Sequence, residues 1–327
     1  MMQETVASKR TNENITACSV IIVTWNSAST IQNCLESIRT QSVDDPIEVI
    51  VVDNHSFDHT TRLVKDGFPE VNLVANETNT GFAAANNRAA MIAKGRYLLL
   101  LNPDTEVPPG AFHKLIEYAD SYPEIGVLGP RLVNSDGSHQ RSCWRGYPGV
   151  AMALIDALYL WTFPRFPIAR LSEYTPEELT RPCDVDHLLG ACLLIRRAAW
   201  EEVGPFDEVF FLFLEETDWC WRARRNGWRV VYYPDVTIVH HGQHSMRQQP
   251  SQSLPQFYRS YCRFYRKHHP RHYLGLVAIK ALIVIASLLR IGLWTARTWR
   301  ANRDNVREQG CRMIEGYKQV LRELPSF

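Results

Sequence analysis

The chain has 327 residues, 45% hydrophobic and 22% charged, enough to bury a large core in one α/β unit with an elaboration. Its 36 Lys and Arg against 35 Asp and Glu leave a net charge of +1, which excludes the global field of a nucleic-acid binder. Eight cysteines, spread from Cys18 to Cys311 without a Cys-x-x-Cys pair, argue against a disulfide framework or zinc site and for a reduced compartment.

Residues 1–16 are polar and lack the apolar core of a signal peptide, so they read as a flexible leader on a cytoplasmic protein. Residues 19–25 are a β-branched run ending at Asn26 and Ser27, after which Ile31, Leu35 and Ile38 fall at helical spacing. The theme repeats over 46–53, a strand ending on Asp53 and Asn54, with a helix over 58–66. A short strand over 71–75 leads into Asn79, Thr80 and Gly81 and an Ala-rich helix carrying Asn86 and Asn87. Residues 97–104 are an apolar run that stops on Asn102, Pro103 and Asp104, the mark of a strand buried on both faces. This alternation predicts a Rossmann-like, mostly parallel sheet with helices on both faces. The polar residues gather after each strand's C-terminal end, the edge at which such sheets hold their ligands.

Further along, 108–118 predict a helix and 125–133 a strand or strand pair around Gly129 and Pro130. Residues 134–183 mix Gly, Pro, Trp and Arg and read as an insertion that shapes a substrate site. Their apolar piece, 150–163, is too short to span a bilayer and is interrupted by Asp156. Residues 185–196 are apolar around Gly190, Ala191 and Cys192, small enough for close approach of a substrate or backbone. Glu215, Glu216, Thr217 and Asp218 then precede a basic amphipathic helix over 219–226 and a strand over 228–233. His240, His241 and His244 close this part.

A nucleoside diphosphate-sugar carries charge that must be neutralised when its glycosidic bond breaks, a task for a divalent cation on oxygen or imidazole ligands. Asp104 and His240 supply one of each, a set that suits Mg or Mn, Mn tolerating the nitrogen better. The plainer readings are a surface Asp after a core strand and a strand-end His with a structural hydrogen bond. Glu215, Glu216 and Asp218 stand at a helix start, where interaction with the helix dipole and general-base duty on an acceptor hydroxyl are both open. Like charges this close raise at least one pKa. Asp53 with Asn54 can pair with a pyrimidine edge and a ribose hydroxyl, and Trp25 offers a face for stacking. Gly81 is either a phosphate-approaching turn or an ordinary helix entry.

Seven segments in order, residues 20–26, 51–58, 79–87, 100–105, 190–197, 214–222 and 239–245, resemble the family-2 glycosyltransferases and their rhamnosyltransferase-like branch. The resemblance implies a GT-A fold, a nucleotide-sugar donor, a divalent metal and inversion at the anomeric carbon. By position it places Thr24, Trp25, Asn26, Asp53 and Asn54 on the base and ribose, with Asn79, Gly81, Asn86 and Asn102 in the same nucleotide-sugar site. Asp104 and His240 would hold the metal. Glu216 occupies the place of the usual base, an aspartate in the family, so the side chain is one methylene longer and Asp218 or Glu215 could share the role. Asn102 fills the first position of the reduced DxD motif, a form this branch commonly shows.

Beyond 248 the chain changes character. Eight basic or His residues cluster with Tyr258, Tyr261, Phe264, Tyr265 and Tyr273 in a basic aromatic helix, and 274–294 are apolar but for Lys280 and Arg290. Two internal cations disfavour a spanning helix, at a cost of roughly 2.5–3.5 kcal/mol each near its centre. An interfacial helix beside anionic lipid fits better, and packing on the catalytic unit or a second subunit is the plainer alternative.

The organisation expected is therefore a leader over 1–16, a transferase unit over 17–248 with a nucleotide-sugar half (17–133) and an acceptor half (134–248), and a helical extension over 249–327. The expected function is an inverting, metal-dependent transfer of L-rhamnose from dTDP-rhamnose to a saccharide or polyprenyl-linked acceptor in O-antigen or other cell-envelope polysaccharide synthesis, at the inner face of the membrane. A UDP-hexose-dependent transferase and a non-catalytic nucleotide-sugar-binding module are the alternatives. Nucleic acid is not an expected partner, and the oligomeric state is left open.

Overall fold

A computed structural model describes residues 16–43, 46–160, 171–172, 174, 177–242, 249–301 and 304–327. The expected leader, His244 and much of the stretch between 160 and 177 lie outside the described residues.

The apolar runs form the strands the periodicity predicts: β1 (Cys18–Thr24), β2 (Ile47–Asp53), β3 (Asn72–Ala75) and β4 (Tyr97–Leu101). Helices α1 (Ile31–Arg39), α2 (Thr60–Gly67) and α3 (Phe82–Ile92) connect them. The four strands pair in parallel in the order β3-β2-β1-β4. β1 and β4 are buried along their whole length, as central strands covered on both faces must be.

After β4 come β5 (Thr105–Glu106), α4 (Ala111–Ser121), β6 (Ile125–Val133), β7 (His139–Gln140), β8 (Cys143–Trp144) and α5 (Val150–Ala157). β6 is one continuous strand through Gly129 and Pro130. Next are β9 (Cys183–Asp184), β10 (His187–Leu188), β11 (Cys192–Arg196), α6 (Arg197–Val203), α7 (Glu215–Arg225) and β12 (Arg229–His240). The large sheet continues β4-β11-β6-β12-β5. β11 runs antiparallel to both β4 and β6, whereas β6 and β12 are parallel. The sheet is thus mixed and mostly parallel, with an apolar cluster on either face.

Three helices complete the chain: α8 (Pro250–His268), α9 (Tyr273–Arg300) and α10 (Asp304–Glu323). The sequence gathers the aromatic residues of α8 in one basic helix. Here Tyr258, Tyr261, Phe264 and Tyr265 are buried, in one cluster with Phe210 and Leu214 of the segment before α7. The protein itself supplies the apolar environment those rings need.

Candidate active site

The polar tips converge as the sheet geometry requires. One chamber of about 1140 Å³ is lined by Trp25, Asn26, Asn54, Asn79, Gly81, Asn102, Asp104, Glu215, Glu216 and His240. Asn26 holds its tip through a left-handed backbone (φ 52°), with its side-chain oxygen accepting from Phe57 N at 2.8 Å. Asn54 ties two tips together: Nδ2 donates to Gly81 O at 3.0 Å, and Oδ1 accepts from Asn76 and Thr80.

Gly81 has a specific reason to be glycine. Its φ is +88°, and a Cβ there would lie 2.4 Å from the carbonyl oxygen of Phe211. Gly81→Ala is therefore expected to lower stability by about 1–3 kcal/mol, read as a fall in Tm, because the Phe211 loop must move.

Four expected site residues do not line the chamber. Thr24 Oγ1 donates to Asp53 Oδ1 at 2.9 Å, and the Asp53 carboxylate also accepts from Ser56 N and Oγ. Both residues are buried and join the ends of β1 and β2. Asn86 is buried on α3 with its amide donating to Phe82 O, a bond within the helix.

Asp218 is the fourth. It is fully buried and receives Arg222 Nε at 2.9 Å, Lys267 Nζ at 2.7 Å and His268 Nε2 at 2.8 Å, the last two from α8. Burial alone would raise its carboxyl, but the bonds from His268 and Lys267 and the charge of Arg222 hold it below the usual range. It fastens α7 to the C-terminal helices and does not reach the chamber. A carboxylate with a depressed pKa stabilises the fold at neutral pH and loses that contribution on acidification. Asp218→Ala is expected to cost about 1–3 kcal/mol, seen in denaturant melts, because it removes the buried acceptor shared by Arg222, Lys267 and His268.

Glu215 and Glu216 reach the chamber through an unusual turn. Phe213 and Leu214 both adopt left-handed conformations (φ 67° and 69°), a strained pair of bulky residues of the kind that concentrates at functional sites. Both carboxyls are buried, and Glu215 Oε2 has no hydrogen-bond partner among the described residues. Burial pushes Glu216 up to about 7. Burial and then the neighbouring Glu216 push Glu215 well above the carboxylate range. Two neighbouring buried carboxyls whose proton affinities are both raised, one of them to about 7, suit the work of a general base.

On the opposite wall His240 Nε2 lies 3.2 Å from Asp104 Oδ1. Gln140 Nε2 donates to Asn134 Oδ1, which turns Gln140 Oε1 to accept from His240 Nδ1 at 2.7 Å. Nε2 then faces a carboxylate oxygen, with Asn102 Nδ2 at 3.3 Å from the same nitrogen. An imidazole nitrogen and a carboxylate oxygen this close can share a proton or a metal cation. Octahedral bonds of about 2.1 Å hold adjacent ligands roughly 3.0 Å apart, so the pair fits Mg or Mn. No group of three or more His, Cys, Asp or Glu is assembled among the described residues, so substrate oxygens and water would have to complete such a shell.

Sequence reasoning missed Gln140 and His187. His187 lines the chamber, stacks on Trp144 (5.1 Å, 1° between planes) and lies 3.3 Å from Thr217 Oγ1. Burial pushes it down to about 3, so it is a neutral imidazole. Its signal was a polar pair, Asp186 and His187, inside the otherwise apolar segment before Gly190. Gln140 had none, since only the pairing of β7 with β6 brings it to the end of β12.

A mixed sheet with carboxylate and imidazole at its strand ends, a buried glutamate pair opposite and room for a nucleotide sugar defines a glycosyltransferase of GT-A architecture. The chain belongs to glycosyl transferase family 2, whose family model matches residues 19–204. It is 29% identical over 293 residues to the N-acetylglucosaminyl-diphospho-decaprenol L-rhamnosyltransferase of Mycobacterium tuberculosis, covering 83% of this chain and 94% of that relative. Among solved structures it resembles GalNAc-T7 with UDP, GalNAc and Mn2+ (TM-score 0.58, 16% identity, 96% of this chain and 58% of that one). It also resembles the mannosyltransferase PcManGT of Pyrobaculum calidifontis with GDP-Man and Mn2+ (TM-score 0.53, 18% identity, 94% and 86%). At these identities the structural likeness is one of fold.

Proposed function

We propose that the protein is an inverting, divalent-metal-dependent glycosyltransferase that moves L-rhamnose from dTDP-rhamnose to a saccharide carried on a polyprenyl diphosphate. Residues 17–248 form the transferase unit in this reading and 249–327 its extension. The observation that carries it is one chamber holding both the Glu216 carboxyl and the Asp104–His240 pair. The rhamnosyltransferase relative supports the choice of sugar and acceptor.

In this reading Glu216 takes the proton of the acceptor hydroxyl while that oxygen attacks the anomeric carbon on the face opposite the diphosphate. The bond from the anomeric carbon to the diphosphate oxygen breaks, and the nucleoside diphosphate leaves with that electron pair. Asp104 and His240 would hold a Mg or Mn ion, which when bound neutralises charge on the leaving diphosphate. Trp25 offers its face to the base, and Asn26 and Asn54 supply polar groups beside it. The deciding experiment measures nucleoside diphosphate release from dTDP-rhamnose, UDP-glucose and UDP-galactose with Mn present. Fastest release from dTDP-rhamnose is expected. Faster turnover of a UDP-hexose reassigns the donor, and binding without turnover makes the protein a non-catalytic module.

Work at the inner face of the cell membrane is supported by α9. The helix is long and apolar enough to cross a membrane, by length and composition. Its two internal cations turn to protein: Arg290 is buried against Asp156 at 2.9 Å, and Lys280 donates to Pro325 O. The outward face presents Leu274, Val277, Ile285, Leu288, Leu289 and Leu293, all exposed, with Arg297 and Arg300 at its end. With one side committed to the fold, a peripheral position along the lipid surface is the reading we favour. Ile285→Asp with Leu288→Asp is expected to reduce co-sedimentation with anionic vesicles at least about tenfold, since two buried aliphatic side chains contribute roughly 1.5–3 kcal/mol each. Unchanged co-sedimentation refutes the attachment.

A further inference from the structure

At about 1140 Å³ the chamber exceeds the roughly 300–1,000 Å³ typical of a small-molecule site, so a nucleotide sugar leaves part of it free. Its lining changes with the elements that supply it. The strand ends contribute carboxylate, imidazole and amide groups, whereas α5, α8 and α9 contribute Ala153, Ile155, Tyr258, Tyr261, Ile283 and Ala286. All six are buried although they line the chamber, so this wall is enclosed and largely apolar. Tyr261 fixes it by donating to Gly149 O at 2.7 Å and accepting from Gly149 N at 3.0 Å at the start of α5.

This apolar wall adjoins the base. Leu214, the residue before Glu215, packs in one cluster with Tyr258, Tyr261 and Ile283. The segment that carries β7 and β8 brings two guanidinium side chains, Arg141 and Arg145, to the same chamber. An acceptor matching this order of surfaces has a sugar hydroxyl at Glu216, an anionic linkage near the arginines and a long apolar chain beyond. On its other side α9 carries the exposed aliphatic face, so one helix separates the enclosed wall from the surface we assign to lipid.

We infer that the space between α5, α8 and α9 is the subsite for the first isoprene units of the acceptor's polyprenyl chain. The inference rests on the transferase reading above and adds to it the place and chemistry of acceptor recognition. The chain is held by apolar contact, and the enzyme therefore distinguishes acceptors by the hydrocarbon attached to their diphosphate as well as by their sugar.

The test compares KM for two acceptors with the same saccharide diphosphate, one on a long isoprenoid and one on a short alkyl chain, both dispersed in the same detergent. Burying a few methylene groups is expected to make KM for the long-chain acceptor about tenfold lower or better in the wild type. Ala286→Trp fills the space and is expected to abolish that ratio. Ile283→Phe, a smaller change, is the second variant should Ala286→Trp fail to fold, as judged by its Tm. A diazirine on the first isoprene unit is expected to crosslink to peptides of α5, α8 or α9. A wild type indifferent to chain length, a folded variant that keeps the ratio, or crosslinks confined to other elements overturns the subsite while leaving the transferase reading intact. A wild type that releases no nucleoside diphosphate from any donor defeats the transferase reading itself, and the subsite falls with it.

Discussion

Glu216→Gln is expected to lower kcat for transfer by about 10²–10⁴-fold, the range general-base catalysis contributes, while nucleotide binding and Tm stay close to the wild type. The amide keeps the shape of the carboxyl but cannot accept a proton. Burial shapes the wild-type pH profile. A base whose pKa is pushed up to about 7 is protonated and idle below that pH and ionised above it, so kcat/KM rises through about pH 7. The variant's residual activity should lack this limb. Stability runs the other way: a buried carboxyl with a raised pKa favours the fold while protonated, and that contribution declines as pH climbs from the unfolded value through about 7. If Glu216→Gln retains full kcat, or if the limb persists in it, the base is another group. The ion-paired Asp218 is poorly placed to be that group, since it faces Lys267 and His268 instead of the chamber.

Asp104→Ala is expected to reduce transfer by about 10²–10³-fold, since neutralising a leaving diphosphate is a matter of several kcal/mol. Activity alone would not separate a lost cation site from a disturbed loop, because Asp104 O also accepts from His241 N and helps seat the end of β12. Mn binding followed by electron paramagnetic resonance, with nucleoside diphosphate present, supplies the second readout. The wild type should capture the ion and Asp104→Ala should not, at matched Tm. His240→Ala should weaken capture less, because it removes a neutral ligand where Asp104→Ala removes a charge. Equal Mn capture by all three proteins would mean that the 3.2 Å approach of His240 to Asp104 is held by a shared proton.

Much of the site was legible because it lies at strand ends. Periodicity located β1, β2, β3 and β4, and parallel pairing sends their C-terminal ends to one edge, so Trp25, Asn54, Gly81 and Asp104 could be brought together on paper. Composition could not separate residues that face that edge from residues that hold it. Thr24 and Asp53 look like ligand groups in the sequence, yet each satisfies the other. Of three acidic residues in four positions, two enter the chamber and the third enters a buried ion cluster.

By itself the sequence determined the strand–helix alternation, the polar strand tips and the acidic start of α7, because these arise from side-chain periodicity and local backbone preference. The tertiary structure decided which tips open to the chamber, which imidazole nitrogen is offered to Asp104, and that the C-terminal helices close the chamber's far wall. Those outcomes depend on contacts between residues remote in sequence, such as Gln140 with His240 and Arg290 with Asp156. Their energies arise only once folding has brought the partners together and shielded one of them from water.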